Sequence, residues 1–275
     1  MRIGSYYLAG SLVLMGLGWM LRPWGFLAFW PAVSLAAVAG AYFGWGPGVY
    51  GKHGGRLPAW RRMVLGPVLA GQWLSWRHYS KRSRAWDVIA EGVWLGRVLT
   101  EHEARRAIED GVTAVLDVTG EFRAPRAFRD LGSNLSLVKL TRHAHFSEAR
   151  ADGGNDSIAL EGPANAYLNI PILDLTAPSD DQLSEAIAFI RAHVAHGGVV
   201  YVHCKAGYSR SAAVVGAWLI SSGRVGSAAE AVALLKEKRP GIMLRPEAVA
   251  AMEHWEHRAD RAIRGSSKAR TEPAR

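Results

Sequence analysis

The chain has 275 residues, a single cysteine, and 33 Lys/Arg against 24 Asp/Glu, a formal net charge of +9. That average misleads, because residues 1–86 hold ten Lys/Arg and no acid while the remainder is nearly neutral. The basic surplus adjoins long apolar stretches and carries no recognition motif, which argues against nucleic acid as the partner and for an anionic membrane surface.

Two apolar stretches, Ile3–Leu21 and Gly25–Trp45, contain no charge, and each reaches the ~20 residues a helix needs to cross the hydrocarbon core. Arg22-Pro23 separates them and suits a tight hairpin. Tyr6, Tyr7, Trp19, Trp24, Trp30, Tyr42 and Trp45 cluster toward the ends like an interfacial belt. The expectation for 1–45 is therefore two transmembrane helices. A cleavable signal would need a small-residue cleavage site after the first stretch, and a second apolar stretch follows instead. A hairpin buried in a soluble core and a re-entrant second stretch are the other readings.

Lys52, Arg56, Arg61, Arg62, Arg77, Lys81, Arg82 and Arg84 come next. The positive-inside rule places this basic segment, 46–85, and all that follows in the cytoplasm of an integral membrane protein, with a bacterial inner membrane as the expected location. Within it Met63–Trp76 is apolar but too short to span. It reads as an interfacial helix on an anionic leaflet, or as a core helix packed on the following domain.

Residues 86–264 are enough for one domain with its own core. Val93–Val98 is a strand candidate. Thr100 with Glu103 forms a capping box opening a helix that ends near Gly111. Val112–Val118, Leu135–Leu140 and Tyr167–Leu173 read as strands. Leu183, Ile187, Ile190 and Val194 mark one face of a helix ending at Gly197. Val199–His203 is a strand and Ser211–Ser222 a helix. Ser227 with Glu230 caps another helix that stops before Pro240, and Pro246–Ile263 is the last. The alternation predicts an α/β fold, a central, mainly parallel sheet flanked by helices, preceded by the transmembrane hairpin. Arg142–Ala164 is irregular and reads as a loop insertion or a lip beside a substrate. Its His143 and His145, with Asp152 or Asp156, match no metal template, so neither metal nor other cofactor is expected. The polar tail 265–275 is expected to be disordered.

The chemistry sits in Val199–Ser211, where a β-branched run ends in Cys204, five loop residues follow, and Arg210 and Ser211 open an apolar helix. A short loop before a helix N-terminus aims amide N–H groups at phosphate oxygens. Lys205, Ala206, Gly207, Tyr208 and Ser209 form that loop with Arg210, whose planar fork can grip two oxygens. Amides, helix end and Arg210 would all lower the thiol pKa, letting Cys204 attack phosphorus as a thiolate. Gly207 lets the backbone approach the phosphate or adopt positive φ. Ser211 can donate to the sulfur when it leaves. His203 is too close in sequence to be the base for Cys204 and is expected to orient the loop by hydrogen bonding. The plainer alternative is a buried structural cysteine at the end of a core strand.

This segment resembles the signature of the cysteine-based protein phosphatases, most of all the dual-specificity branch, and the resemblance runs from Trp86 to about His257. Ile89–Gly96 is similar to that family's opening element. Within the branch, Cys204-Lys205-Ala206-Gly207 resembles the loops of lipid-directed members, including phosphatidylglycerophosphate phosphatases and phosphoinositide 3-phosphatases. The latter carry a second lysine where this chain has Tyr208. The family places its general acid on a loop about thirty residues before the cysteine, where this chain has Asn169–Pro178, so the resemblance implies Asp174 as the acid. Asp180 and Asp181 are rivals, in a first helical turn capped by Ser179 and Gln182; Asp117 reads as structural. The implied function is a membrane-anchored phosphomonoesterase working through a phosphocysteine, on a lipid phosphomonoester such as phosphatidylglycerophosphate. A protein tyrosine or dual-specificity phosphatase, with a phosphoprotein substrate, would use the same residues. A non-catalytic phosphate-binding module would need no general acid.

Overall fold

Uncharged small residues let the two leading helical segments meet closely. The computed structural model describes residues 2–21, 24–131 and 166–271. The Arg22-Pro23 breaker, the expected strand Leu135–Leu140 and the irregular Arg142–Ala164, with His143, His145, Asp152 and Asp156, lie outside them. Helix α1 spans Arg2–Met20; a 3₁₀ turn at Trp24–Ala28 leads into α2, Phe29–Gly40, and tighter and wider turns continue to Tyr50. By length and composition, Ile3–Met20 and the composite Trp24–Tyr50 can each cross a membrane, the second running past its expected end at Trp45. A side chain on Gly25 would collide with the Gly18 carbonyl, and buried Ser11 donates to the Ala32 carbonyl at 2.8 Å. The outer faces leave Leu12, Val13, Trp24, Phe26 and Leu27 exposed, an apolar surface of the kind that marks an interaction site.

Met63–Trp76 is not one helix. The chain breaks at Leu65 between α3, Ala59–Val64, and α4, Gly66–Ser80, with Pro67 in the first turn of α4. One face of α4 packs inward, with Val68 buried beside Val38, Ala41 and Leu173, and Trp76 Nε1 donating to the Val98 carbonyl at 3.0 Å. The opposite face leaves Trp73 and Leu74 exposed. The packing of the first face accords with the reading of a core helix.

Lys52 is not a surface charge either. Its ammonium is fully buried, 2.5 Å from Asp117 Oδ2 and 3.0 Å from both Thr119 oxygens. Burial pushes the Asp117 carboxyl up, but Lys52 outweighs it, and with the hydroxyl of Tyr167 holds the pKa at about 2. Asp117 is a structural carboxylate, as its strand position implied.

The sheet has strands β1 (Trp86–Ala90), β2 (Val93–Arg97), β3 (Ala114–Thr119), β4 (Tyr167–Ile172) and β5 (Val200–Cys204) in the order β1-β2-β5-β3-β4. Among the described strands only the β1–β2 pair is antiparallel. A two-residue turn, Glu91-Gly92, joins that pair, with Gly92 at φ +76°. Helices α5 (Glu101–Glu109) and α6 (Arg126–Arg129) lie on one side, and α7 (Asp180–Ala195), α8 (Arg210–Ser221), α9 (Ala228–Lys238) and α10 (Pro246–Thr271) on the other. The capping boxes expected at Thr100 and Ser179 are both formed. Helix α10 corrects one expectation. It passes Ile263 and Gly265 and continues to Thr271, because Lys268, Ala269 and Arg270 are good helix formers and the first proline beyond is Pro273.

Side-chain alternation along β5 divides its residues between the two layers. Val200, Val202 and Cys204 face α7–α10, and Tyr201 and His203 face Phe128 of α6.

Candidate active site

Strand β5 delivers Cys204 to the C-terminal edge of the parallel strands, the edge where α/β folds gather their ligands. The loop 205–209 then turns into α8. Cys204 is only 3% exposed, and Ser211 Oγ donates to its sulfur at 3.2 Å. Burial pushes the thiol pKa up. The Arg210 guanidinium, the Ser211 hydroxyl and the backbone N–H groups of Ser211 and Tyr208 outweigh it and hold the thiol below its ordinary range. Gly207 adopts φ +69°, and a Cβ there would stand 2.5 Å from the Gly96 backbone. The loop is also held from outside. Buried Arg239, at the end of α9, donates to the Gly207 carbonyl at 3.1 Å and to Asp87 at 2.6 Å.

Arg210 is buried and already oriented. Its Nη2 and Nη1 donate to Glu121 Oε1 at 2.7 Å and Oε2 at 3.2 Å, and Nη1 also donates to the Ile172 carbonyl at 2.8 Å. Sequence reasoning missed Glu121. Its one visible signal was a carboxylate two residues past β3, the strand beside β5. Arg239 gave none.

Asp174 follows β4. Arg210 Nη2 lies 3.1 Å from its Oδ1, and Lys205 Nζ donates to its Oδ2. Burial pushes its carboxyl up, but Arg210 and Lys205 outweigh it and hold it below the ordinary carboxylate range. Lys205 also donates to Gln72 Oε1 of α4 at 3.0 Å, so its ammonium faces Asp174 and α4. Tyr208 packs edge-on against Tyr79 of α4, centroids 6.0 Å apart. Asp180 pairs at the surface with Arg258 at 2.9 Å, and Asp181 shares its helical turn.

His203 departs from expectation. Its ring stacks on Tyr201, centroids 5.4 Å apart, and among the described residues neither ring nitrogen has a hydrogen-bond partner. Strand alternation turns it to the face opposite Cys204, where Nε2 lies 3.8 Å from Asp117 Oδ2. Burial lowers its pKa.

Cys204, Lys205, Ala206, Tyr208, Ser209, Arg210 and Asp174 line one cavity of about 900 Å³. Tyr7, Pro31 and Leu35 of the apolar hairpin and Pro67 and Val68 of α4 line the same cavity.

The family model for the dual specificity phosphatase catalytic domain matches residues 100–258. Human phosphatidylglycerophosphatase and protein-tyrosine phosphatase 1 is 40% identical over 80 residues, 29% of this chain and 39% of that protein. Human dual specificity phosphatase 28 is 30% identical over 139 residues, 44% of this chain and 77% of that protein. The chain thus aligns with about two fifths of the first of these relatives and about three quarters of the second. A crystal structure of PTPMT1 matches with a TM-score of 0.46 at 25% identity, covering 65% of this chain and 99% of that one. The match of the family model runs from the Thr100 cap of α5 into α10 and takes in more than half of the residues, so the chain belongs to the dual specificity phosphatase catalytic-domain family.

Proposed function

We propose that the protein is a membrane-anchored, cysteine-dependent phosphomonoesterase whose substrate is a lipid phosphomonoester such as phosphatidylglycerophosphate. The cavity carries this reading: the same space that holds Cys204, Arg210 and Asp174 is walled by Tyr7, Pro31 and Leu35 of the apolar hairpin. A phosphate headgroup would meet the loop while the glyceryl and acyl portion followed the apolar wall. The human relative, named as a phosphatidylglycerophosphatase, supports the class.

In this reading the Cys204 thiolate attacks phosphorus. An S–P bond forms as the P–O bond to the alcohol breaks, and Asp174 gives its proton to the departing oxygen. Arg210 and the loop amides hold the three non-bridging oxygens. Water, deprotonated by Asp174, then attacks phosphorus; the S–P bond breaks, and Ser211 donates to the emerging thiolate, releasing inorganic phosphate.

Full-length protein in vesicles is expected to hydrolyse phosphatidylglycerophosphate in preference to a phosphotyrosine peptide offered beside it. The same relative's name also carries protein-tyrosine phosphatase. Efficient peptide turnover with lipid phosphomonoesters untouched would replace the lipid reading with that one.

For organisation we propose an anchor at 1–45, a juxtamembrane segment at 46–85 and a catalytic domain at 86–264, with the domain on the cytoplasmic face. The Lys/Arg excess after the second apolar segment supports that side. Protease added outside spheroplasts is expected to spare the catalytic domain; its digestion there would reverse the topology.

A further inference from the structure

The loop bearing Asp174 is held from the apolar hairpin as well as from the phosphate loop. Leu173 is buried with Val38, Ala41, Tyr50, Leu65 and Val68. The Tyr42 ring stacks on Tyr7, centroids 5.6 Å apart, and its hydroxyl donates to the Asp174 carbonyl at 2.8 Å. Next in the chain, Leu175 sits at φ +62°, the one non-glycine residue with positive φ among those described. A leucine holds that conformation only where its surroundings over-determine it. From the other side Gln72 accepts from Lys205, whose ammonium also reaches the Asp174 carboxylate. The backbone and the carboxylate of Asp174 are thus both reached, directly or through one residue, from segments before residue 86, outside the 100–258 that match the family.

We infer that the hairpin is a positioning element of the reaction as well as an anchor, with Tyr42 as its principal contact. This rests on the reading of Asp174 as the general acid. A general acid acts only within hydrogen-bond reach of the leaving oxygen, and loops that follow strands are the mobile parts of a fold. The Tyr42 hydroxyl ties the backbone of this loop to the helix pair, and the buried Leu173 packs beside it. The dependence should hold even for water-soluble substrates, because it acts on the acid and not on access to lipid.

The test uses the full chain in detergent with two soluble substrates, an alkyl phosphomonoester and p-nitrophenyl phosphate, whose leaving group needs little protonation. Tyr42→Phe keeps the ring stacked on Tyr7 and removes only the hydroxyl. Its kcat for the alkyl substrate is expected to fall about tenfold with KM little changed, and far less for the aryl substrate. In an Asp174→Asn background the alkyl loss should vanish, since both changes act through one proton. Equal losses on both substrates, no alkyl loss, or full additivity with Asp174→Asn would overturn the inference. If Asp174→Asn itself shows no leaving-group dependence, Asp174 is not the acid and the inference falls with that reading. If Asp174→Asn shows the dependence and Tyr42→Phe does not, only the role of the hairpin falls.

Discussion

Cys204→Ser is expected to abolish turnover, a loss on the order of 10⁶-fold, the scale seen when the nucleophile of a covalent mechanism is removed. Phosphate binding should survive. The hydroxyl nearly matches the thiol in volume, and the N–H groups of Tyr208 and Ser211 that face the sulfur belong to the backbone. Arg210 is held by Glu121 and the Ile172 carbonyl, so its fork does not depend on the sulfur. What is lost is the thiolate, which Arg210 and the loop stabilise against the cost of burial. Two measurements check this: steady-state turnover of an aryl phosphate, and acid trapping of a phosphoenzyme in the wild type that is absent from the variant. Calorimetric titration with inorganic phosphate reports binding separately. Turnover near wild type in Cys204→Ser would end the phosphocysteine mechanism.

The phosphate loop was legible because strand, loop, arginine and helix are consecutive, and each carries a local signature from Val199 to Ser211. Asp174 was legible because an apolar strand ends there, at the family's interval from the cysteine. The partners that hold these groups were not. Glu121 lies 89 residues from Arg210, and Gln72 lies 133 residues from Lys205. No local pattern marks a pair that only the fold brings together. Lys52 shows the same limit from the other side. Composition counts it with the surface charges, whereas Asp117, 65 residues on, draws it into the interior. The hydrogen bond expected of His203 failed for a nearer reason. Adjacent residues of a strand face opposite layers, so proximity to Cys204 in sequence became separation in space.

Asp174→Asn is expected to lower kcat on an alkyl phosphomonoester by roughly 10²- to 10⁴-fold, the usual worth of a positioned general acid. In the proposed mechanism a carboxyl held below its ordinary range must take up a proton in the substrate complex. As it stands, Asp174 shares Arg210 with Glu121 and lies against Lys205. A phosphoryl dianion seated in the loop competes for Arg210 and adds negative charge beside the carboxylate. Both changes raise its pKa, and burial then acts in the same direction instead of against the cations. The bound dianion thereby raises the carboxyl pKa, and the carboxyl takes its proton from water. The sign follows: since Asp174 must be protonated in the complex, kcat on the alkyl substrate falls as pH rises through the carboxyl pKa of that complex, and Asp174→Asn removes this limb. KM should change little or fall, because the variant no longer sets a negative charge against the phosphate. The loss should shrink for p-nitrophenyl phosphate, whose phenolate departs without a proton. Equal losses on both substrates, with the basic limb retained in the variant, would mean that Asp174 serves only to hold Arg210 and Lys205 in place and that the leaving oxygen takes its proton from another group.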